Sequence, residues 1–258
     1  MINIPIVDFV LVLLIFIRIL AAFISSPIYG HPAIPILNKV FLSLIIAYIV
    51  FLTIDKSTIA VEFNLGWLFA NAVKEMITGF LIGFMMNFVF YGISYAGVLV
   101  GFEMGLSMSQ VLNPMDNSTE NTVGNFFYYA SILIFLLING HHYIISALVY
   151  SFKAFHLGKF TITEPVNQLL IKYAGTVFII AVKIASPFIV SYFLIHVALG
   201  IIGKVIPQMQ VFFVGQPMLI GVGFFLLLSV IPIYIYVIKY LLRGYEDNLL
   251  SLIKAMGQ

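Results

Sequence analysis

The sequence predicts an all-α membrane protein with six to seven apolar helical elements arranged as hairpins. Of its 258 residues, 62% are hydrophobic and only 9% are charged, and the mean hydropathy is +1.14. An ordinary soluble domain carries about 25% charged residues. Glycines also recur four residues apart inside the apolar stretches, a pattern typical of closely packed membrane helices. Lipid or other membrane subunits must therefore cover much of this surface.

Six apolar stretches follow one another along the chain. They are about Ile6–Ile24, Pro35–Ile54, Trp67–Leu112, Phe126–Tyr150, Tyr173–Ile202 and Val211–Leu242. A membrane span needs about 20 apolar residues. The third stretch is therefore long enough for two helices, and Gly92 and Gly97 would accommodate a break between them.

The connections between these stretches are short and carry turn-forming residues. Pro27, Pro32 and Pro35 interrupt the first connection. The segment from Asn113 to Asn125 is the most polar part of the chain, and its Asn, Asp, Ser and Thr side chains favour turns over helix. A second turn around Pro207 and Gln208 joins the last two long stretches into a helical hairpin.

The C-terminal end, Tyr245–Gln258, has the pattern of a short amphipathic helix. Leu249, Leu252, Ile253 and Met256 share one face. Acidic residues stand at its start and Lys254 near its end, which suits the helix dipole. We expect this helix to lie on the membrane surface or to dock on a partner.

The glycine spacing predicts where helices approach one another. Gly79 and Gly83 form one pair, and Gly97, Gly101 and Gly105 form a continuous stripe. In water, glycine costs a helix about 1 kcal/mol relative to alanine. In a membrane bundle the same residue lets two backbones come close. The helix that packs on these glycines belongs either to this chain or to another subunit, and self-packing is the commoner case.

Three ionisable residues lie deep inside apolar stretches, namely Arg18, Glu103 and Lys183. Such groups are costly at membrane depth, so they pair with one another, face a cavity or line a pathway. Glu103 lies within the glycine stripe, and we expect Arg18 or Lys183 to neutralise it. The adjacent Lys74 and Glu75 are interpreted as residues near the membrane interface.

The sequence offers little support for catalysis, for a cofactor or for a nucleic-acid partner. The formal charge is only +2 and is scattered, and the chain contains no cysteine. His141 and His142 are adjacent, so on a helix they diverge by about 100° and do not share a metal ion as an i, i+4 pair does. No nucleophile elbow or phosphate-binding loop is present.

The order of motifs resembles one family over almost the whole chain: FliR, the flagellar type III export-gate family, with its injectisome counterparts, the SctT proteins. The resemblance begins with Arg18 and runs through Gly97-x-x-x-Gly101-Phe102-x-Met104-Gly105, Asn113-Pro114, Leu136-Leu137-Ile138-Asn139-Gly140-His141-His142, Ala181-x-Lys183-x-Ala185-x-Pro187, Pro207-Gln208, Val211-Phe212 and Gly215-x-Pro217. Family members usually have Asp-Pro at the position of Asn113-Pro114, so a role that depends on that charge does not carry over to this chain.

The resemblance implies a non-enzymatic subunit of a secretion channel in the bacterial inner membrane, at the flagellar basal body. FliP and FliQ subunits would complete the channel, FlhB would dock on it, and unfolded flagellar proteins would pass through it. About residues 1–170 would be FliP-like helices, residues 171–245 a FliQ-like hairpin and 246–258 the C-terminal helix. The family also places the loop at about 106–124 in the pore as a plug, which here contains Leu106, Met108, Asn113, Pro114, Met115, Asp116 and Asn117.

A different class of protein, a secondary transporter or channel for a small solute, would use the same glycine packing, broken helices and buried charges. Transporter folds usually contain a repeated half, and no repeat is evident in this sequence. Co-purification with two other small membrane proteins in a fixed ratio would favour the export gate, and a stable monomer that transports a solute would favour the transporter.

Overall fold

The computed structural model describes residues 6–54, 64–106, 121–160, 163–206, 208 and 211–257. Within these ranges the chain forms seven α-helices and no strand. The helices are α1 (Ile6–Ser25), α2 (Ile36–Thr53), α3 (Leu65–Glu103), α4 (Thr122–Leu137), α5 (Gly140–Ala154), α6 (Glu164–Val205) and α7 (Val211–Met256). The prediction of an all-α protein with six to seven helical elements is confirmed.

Five of these helices, α1, α2, α3, α6 and most of α7, are long and apolar enough to cross a membrane. The helices α4 and α5 also qualify if they are taken together, but the chain bends by 72° between them. The bend contains Asn139, whose φ of 60° is left-handed, a conformation that asparagine adopts more readily than most residues. The described chain therefore has five candidate spans, or six if the bent pair is one.

The expected break in the third apolar stretch is wrong. Helix α3 runs unbroken for 39 residues through Gly92 and Gly97. A Cβ on Gly92 would lie 3.0 Å from the Ile180 side chain, and one on Gly97 would lie 2.6 Å from the Val123 carbonyl oxygen. These glycines therefore make room for neighbouring helices within an intact helix.

The chain divides into two compact units, and each is assembled from separated stretches of sequence. Unit 1 consists of residues 1–88, 139–173 and 243–258. Its core includes Leu14, Ile15 and Phe23 of α1, all of which are buried. The Lys39 ammonium group of α2 donates hydrogen bonds to the carbonyl oxygens of Gly30 and His31, which fixes the proline-rich connection between α1 and α2.

Unit 2 consists of residues 89–138 and 174–242. Two buried tyrosines connect α6 and α7 in this unit. The Tyr192 hydroxyl donates to the Leu219 carbonyl oxygen at 2.7 Å, and the Tyr234 hydroxyl donates to the Ile184 carbonyl oxygen at 2.7 Å. The Tyr234 ring also packs edge-on against Phe127 of α4. Both tyrosines thus combine apolar burial with a satisfied hydroxyl group.

The C-terminal end differs from the sequence-based expectation in two respects. It is not a separate short helix, because α7 continues to Met256. Its apolar face is also buried within unit 1, where Leu249, Leu252 and Ile253 are fully enclosed. The Tyr143 hydroxyl of α5 donates to the Glu246 carbonyl oxygen at 2.7 Å. The face that suggested a membrane surface or a partner therefore packs on the chain's own helices.

Candidate functional site

A buried ion pair connects α1 to α3 in unit 1. Arg18 donates two hydrogen bonds to Glu75: its Nε donates to Oε2, and its Nη2 donates to Oε1 at 3.1 Å. Neither side chain is exposed to any measurable extent. Two parallel N–H to oxygen contacts of this kind fix the orientation of both groups as well as their distance.

The remaining polar atoms of this pair also have partners. Arg18 Nη1 donates to Ser151 Oγ on α5 at 3.2 Å. The Gly158 N–H donates to Glu75 Oε1 at 2.7 Å. A buried charge is costly unless it is paired and hydrogen-bonded, and here each guanidinium nitrogen of Arg18 and each carboxylate oxygen of Glu75 has at least one partner.

Two aromatic rings enclose the Arg18 guanidinium group. Its central carbon lies 4.2 Å from the ring centroid of Phe152 and 4.6 Å from that of Phe155. Cation–π attraction of this type is strongest when the cation is removed from water. Helix α5 and the residue after it therefore supply both polar and aromatic contacts to the arginine. We refer to Arg18, Glu75, Ser151, Phe152, Phe155 and Gly158 as the Arg18 cluster.

The turn after α5 has a backbone conformation that suits this cluster. Gly158 has a φ of +75°, which favours glycine. A Cβ at this position would also overlap with the Asn71 side chain of α3. Lys74 donates from its ammonium group to the Gly158 carbonyl oxygen at 3.2 Å. Both polar groups of the Gly158 backbone are thus directed to neighbouring residues of α3.

The first glycine pair lies directly beside the Arg18 cluster. A Cβ on Gly79 would overlap with the carbonyl oxygen of Arg18, and one on Gly83 would overlap with the carbonyl oxygen of Ala22. At these two positions α3 lies so close to the backbone of α1 that no side chain fits between the two helices. One turn farther along α3, Asn87 donates to the Ser25 carbonyl oxygen.

The second glycine set faces other parts of unit 2. A Cβ on Gly101 would lie 2.8 Å from Asn121 Oδ1, and that oxygen also accepts the hydrogen bond from the Gly124 N–H that caps α4. Gly105 has a φ of +75°, and a Cβ there would overlap with the Gln216 side chain. The end of α3 thus packs against the start of α4.

The proposed partner of Glu103 requires a correction. Arg18 pairs with Glu75, so the expectation that it neutralises Glu103 is wrong. The Glu103 side chain is 27% exposed, and its Oε2 lies 3.9 Å from Nε2 of His196. Lys183 is exposed on α6 and forms no ion pair with any residue that the structure describes.

Sequence reasoning missed Glu75, which was interpreted as a residue near the interface. The structure buries it completely. The signal that could have identified it is its spacing, because Glu75, Gly79 and Gly83 are each four residues apart and lie on one face of α3. A carboxylate that continues a glycine packing face is directed at the same neighbouring helix as the glycines.

Much of the predicted pore loop lies outside the described residues, namely Met108, Asn113, Pro114, Met115, Asp116 and Asn117, as does Pro207 of the hairpin turn. The structure describes the residues on either side of these gaps. Leu106 follows the end of α3, and α4 already begins at Thr122, three residues before the expected end of the polar segment. Gly215 faces Leu199, and Pro217 lies within the early turns of α7.

Comparisons with known proteins identify similar sequences over most of the chain. The family model described as bacterial export proteins, family 1, matches residues 9–244. The flagellar biosynthetic protein FliR of Bacillus subtilis is 29% identical over 248 residues, which is 95% of each chain. The proteins of the same name from Aquifex aeolicus and Escherichia coli are 29% and 26% identical and cover 88% and 84% of this chain, and 87% and 82% of their own lengths.

The resemblance inferred from the motifs is confirmed by these matches, which identify the chain as a component of flagellar export. Its long apolar helices are consistent with a membrane protein. The chain belongs to bacterial export proteins, family 1, the family that includes the flagellar biosynthetic protein FliR.

Proposed function

We propose that this chain is a non-enzymatic subunit of the gate through which unfolded flagellar proteins cross the bacterial inner membrane. The observation that carries the proposal is the similarity to FliR over 95% of both chains. In this proposal FliP and FliQ subunits complete the channel, FlhB docks on it, and the complex lies at the flagellar basal body.

The surface of the chain supports a role as one subunit among several. Large apolar side chains are exposed along α2, α6 and α7, among them Phe41, Phe193 and Tyr236. Helix α6 alone is 42 residues long, or about 63 Å, whereas the hydrocarbon core of a bilayer is about 30 Å thick. A bilayer covers only part of such a helix, so other protein subunits are the natural cover for the rest.

The segment at about 106–124 is proposed as a plug in the channel. Its described flanks are compatible with this role, because a Cβ on Gly101 near the end of α3 would lie 2.8 Å from Asn121 Oδ1 at the start of α4. The segment itself is polar, with Asn113, Asp116 and Asn117 among its residues. Polar loops at membrane depth are tolerated where they line a water-filled space or are buried in protein.

The subunit role is tested by purification from native membranes. A tagged copy of the chain, produced at its chromosomal level, is solubilised in mild detergent, and the subunits that accompany it are identified and quantified by mass spectrometry. The proposal predicts FliP and FliQ in a fixed ratio to the chain. Recovery of the chain as a monomer that transports a small solute would instead support a transporter.

The plug is tested separately by deleting residues 113–118, which leaves Asn121 in place to cap α4. We expect the complex to assemble and the membrane to become permeable to ions, measured as conductance in cells that express all gate subunits. The control is a strain that lacks the chromosomal copy of the chain and produces the full-length chain in its place. An unchanged permeability barrier together with unchanged export would make this segment a simple connection.

A further inference from the structure

The unexplained charge of this structure is Lys183, which lies 19 residues after the first residue of the 42-residue helix α6. Its side chain is exposed. The only acidic residue of α6 is Glu164, at the first position of the helix. Lys183 forms no ion pair within the described chain. An unpaired ammonium group in the middle of an apolar helix is costly in lipid, so its surroundings need an explanation.

Lys183 lies on the side of α6 opposite to the part that packs within unit 2. Ala181 and Ala185 are fully buried, and Lys183 is two residues from each. At about 100° per residue it lies about 160° around the helix from both of them. The ammonium group therefore cannot reach the interior of its own unit by rotating its side chain.

The residues that share the Lys183 face are large and apolar. Ile179, Val190, Leu194 and Ile201 lie within about 40° of Lys183 around the helix, and each is at least half exposed. We call these four residues and Lys183 the Lys183 face. It extends on both sides of the lysine, so the charge lies within an apolar surface and does not mark its end.

Lipid alone does not account for this face. If Lys183 lies at the level of the lipid headgroups, the exposed apolar residues on one side of it are outside the bilayer and in water. If Lys183 lies within the hydrocarbon, its charge has no counterion. Exposed apolar residues of α6 extend from Ile171 to Val205, about 51 Å along the helix, which exceeds the hydrocarbon thickness of about 30 Å even at a 40° tilt.

We propose that a helix of a different membrane subunit packs on the Lys183 face and places an aspartate or glutamate carboxylate opposite the Lys183 ammonium group. A second copy of this chain does not fit, because symmetric packing on this face would bring two lysines together. The apolar residues supply the contact area, and the charge pair fixes the register of the two helices. This inference deepens the proposed function and rests on it, since it assigns one face of the chain to a neighbouring subunit.

The test compares substitutions at Lys183 within the complete complex. Lys183→Glu places two carboxylates in contact, and Lys183→Met leaves the partner's carboxylate unpaired, so we expect each to reduce the yield of intact complex at least tenfold. Lys183→Arg keeps the charge and is expected to assemble. Lys204→Met is the matched control, because Lys204 is exposed in the last turn of the same helix, and its complex is expected at the wild-type yield.

Two further measurements identify the occupant and exclude misfolding. The isolated Lys183→Glu chain should have the helical content and melting temperature of the wild type in detergent, because the Lys183 side chain is exposed and forms no ion pair with the residues that the structure describes. A photo-crosslinking amino acid at Val190 should form an adduct with another subunit in the wild-type complex and lose it in Lys183→Glu. In that background, each aspartate or glutamate in the membrane helices of the accompanying subunits is changed to lysine, and one change should restore assembly.

The outcomes separate this inference from the proposed function. If the wild-type chain purifies without other membrane subunits, the proposed function fails and the inference fails with it. If the wild-type complex forms and Lys183→Glu assembles equally well, only the inference is overturned. An adduct formed with lipid alone at Val190 would also overturn it, since the face would then be covered by the bilayer.

Discussion

Arg18 and Glu75 are 57 positions apart in the sequence and form a fully buried ion pair between α1 and α3. The pair lies one helical turn from Gly79, whose missing side chain lets α3 approach the Arg18 carbonyl oxygen. The same two helices are thus connected by close backbone packing and by a charged contact. This arrangement makes the interface between α1 and α3 specific in both distance and register.

The first prediction concerns the cost of leaving Arg18 without its carboxylate. Glu75→Gln should lower the free energy of unfolding by about 3–5 kcal/mol, because it leaves a buried guanidinium group uncompensated. Glu103→Gln is the matched control on the same helix. Glu103 is partly exposed and lies 3.9 Å from His196, so we expect a change within about 0.5 kcal/mol. Circular dichroism of the purified variants during unfolding in detergent measures the loss of stability in each. An equal loss in Glu75→Gln and Glu103→Gln would contradict the pairing of Arg18 with Glu75.

The second prediction concerns the coupling between the two charges. The double variant Arg18→Met with Glu75→Leu should be more stable than either single variant, because buried ion pairs are often replaced by apolar residues without loss. It should still fall short of the wild type by about 1–3 kcal/mol, since the Gly158 N–H loses its acceptor. A double-mutant cycle from the same unfolding measurement gives the coupling energy. Additive single effects would show that the two residues act independently.

The third prediction distinguishes glycines that make room for a neighbour from glycines that face open space. Gly79→Ala and Gly83→Ala should each destabilise the purified chain by about 1–3 kcal/mol, because the new methyl group overlaps with a carbonyl oxygen of α1. Gly221→Ala should stabilise it by up to about 1 kcal/mol, since nothing lies within 4 Å of that position and alanine is the better helix former. We expect the free energy of unfolding to fall in the Gly79 and Gly83 variants and to rise in the Gly221 variant, relative to the wild type. A change in the same direction in all three would refute the packing assignment.

The fourth prediction concerns the end of α7. Leu252→Ala should cost about 2–5 kcal/mol, because Leu252 is completely buried in unit 1. Ser251→Ala, at the adjacent exposed position, should change stability by less than about 0.5 kcal/mol. If both variants unfold like the wild type, the C-terminal face is not part of the core and is free for a membrane or a partner.

The sequence predicted the helical class and the packing glycines because both depend on local patterns, namely apolar length and four-residue spacing. It did not predict the continuity of α3, since a glycine that breaks a helix and a glycine that admits a neighbour are identical in sequence. It also assigned Arg18 the wrong partner. Glu75 and Glu103 both lie on α3, and Glu75 is the one that continues the face of Gly79 and Gly83 toward α1.

The C-terminal face shows a related limit. Leu249, Leu252 and Ile253 form an apolar face whether they dock on a membrane, on a partner or on the chain itself. Here the face is buried within the chain, and α5, about 100 residues earlier, contacts the same part of α7 through the hydrogen bond from Tyr143 to the Glu246 carbonyl oxygen. Periodicity gives the face of a helix, and the packing of distant segments decides what covers it.

The proposed role of the chain as a subunit of the flagellar export gate is tested by measuring secretion. The amount of a flagellar substrate in the culture medium is compared between the wild type, a strain that lacks the chain and the same strain complemented with it, with the cytoplasmic pool of the substrate as the control for synthesis. If the chain is a gate subunit, secretion is lost without it while synthesis continues, and secretion returns on complementation. Secretion at the wild-type level in the strain that lacks the chain would contradict this role.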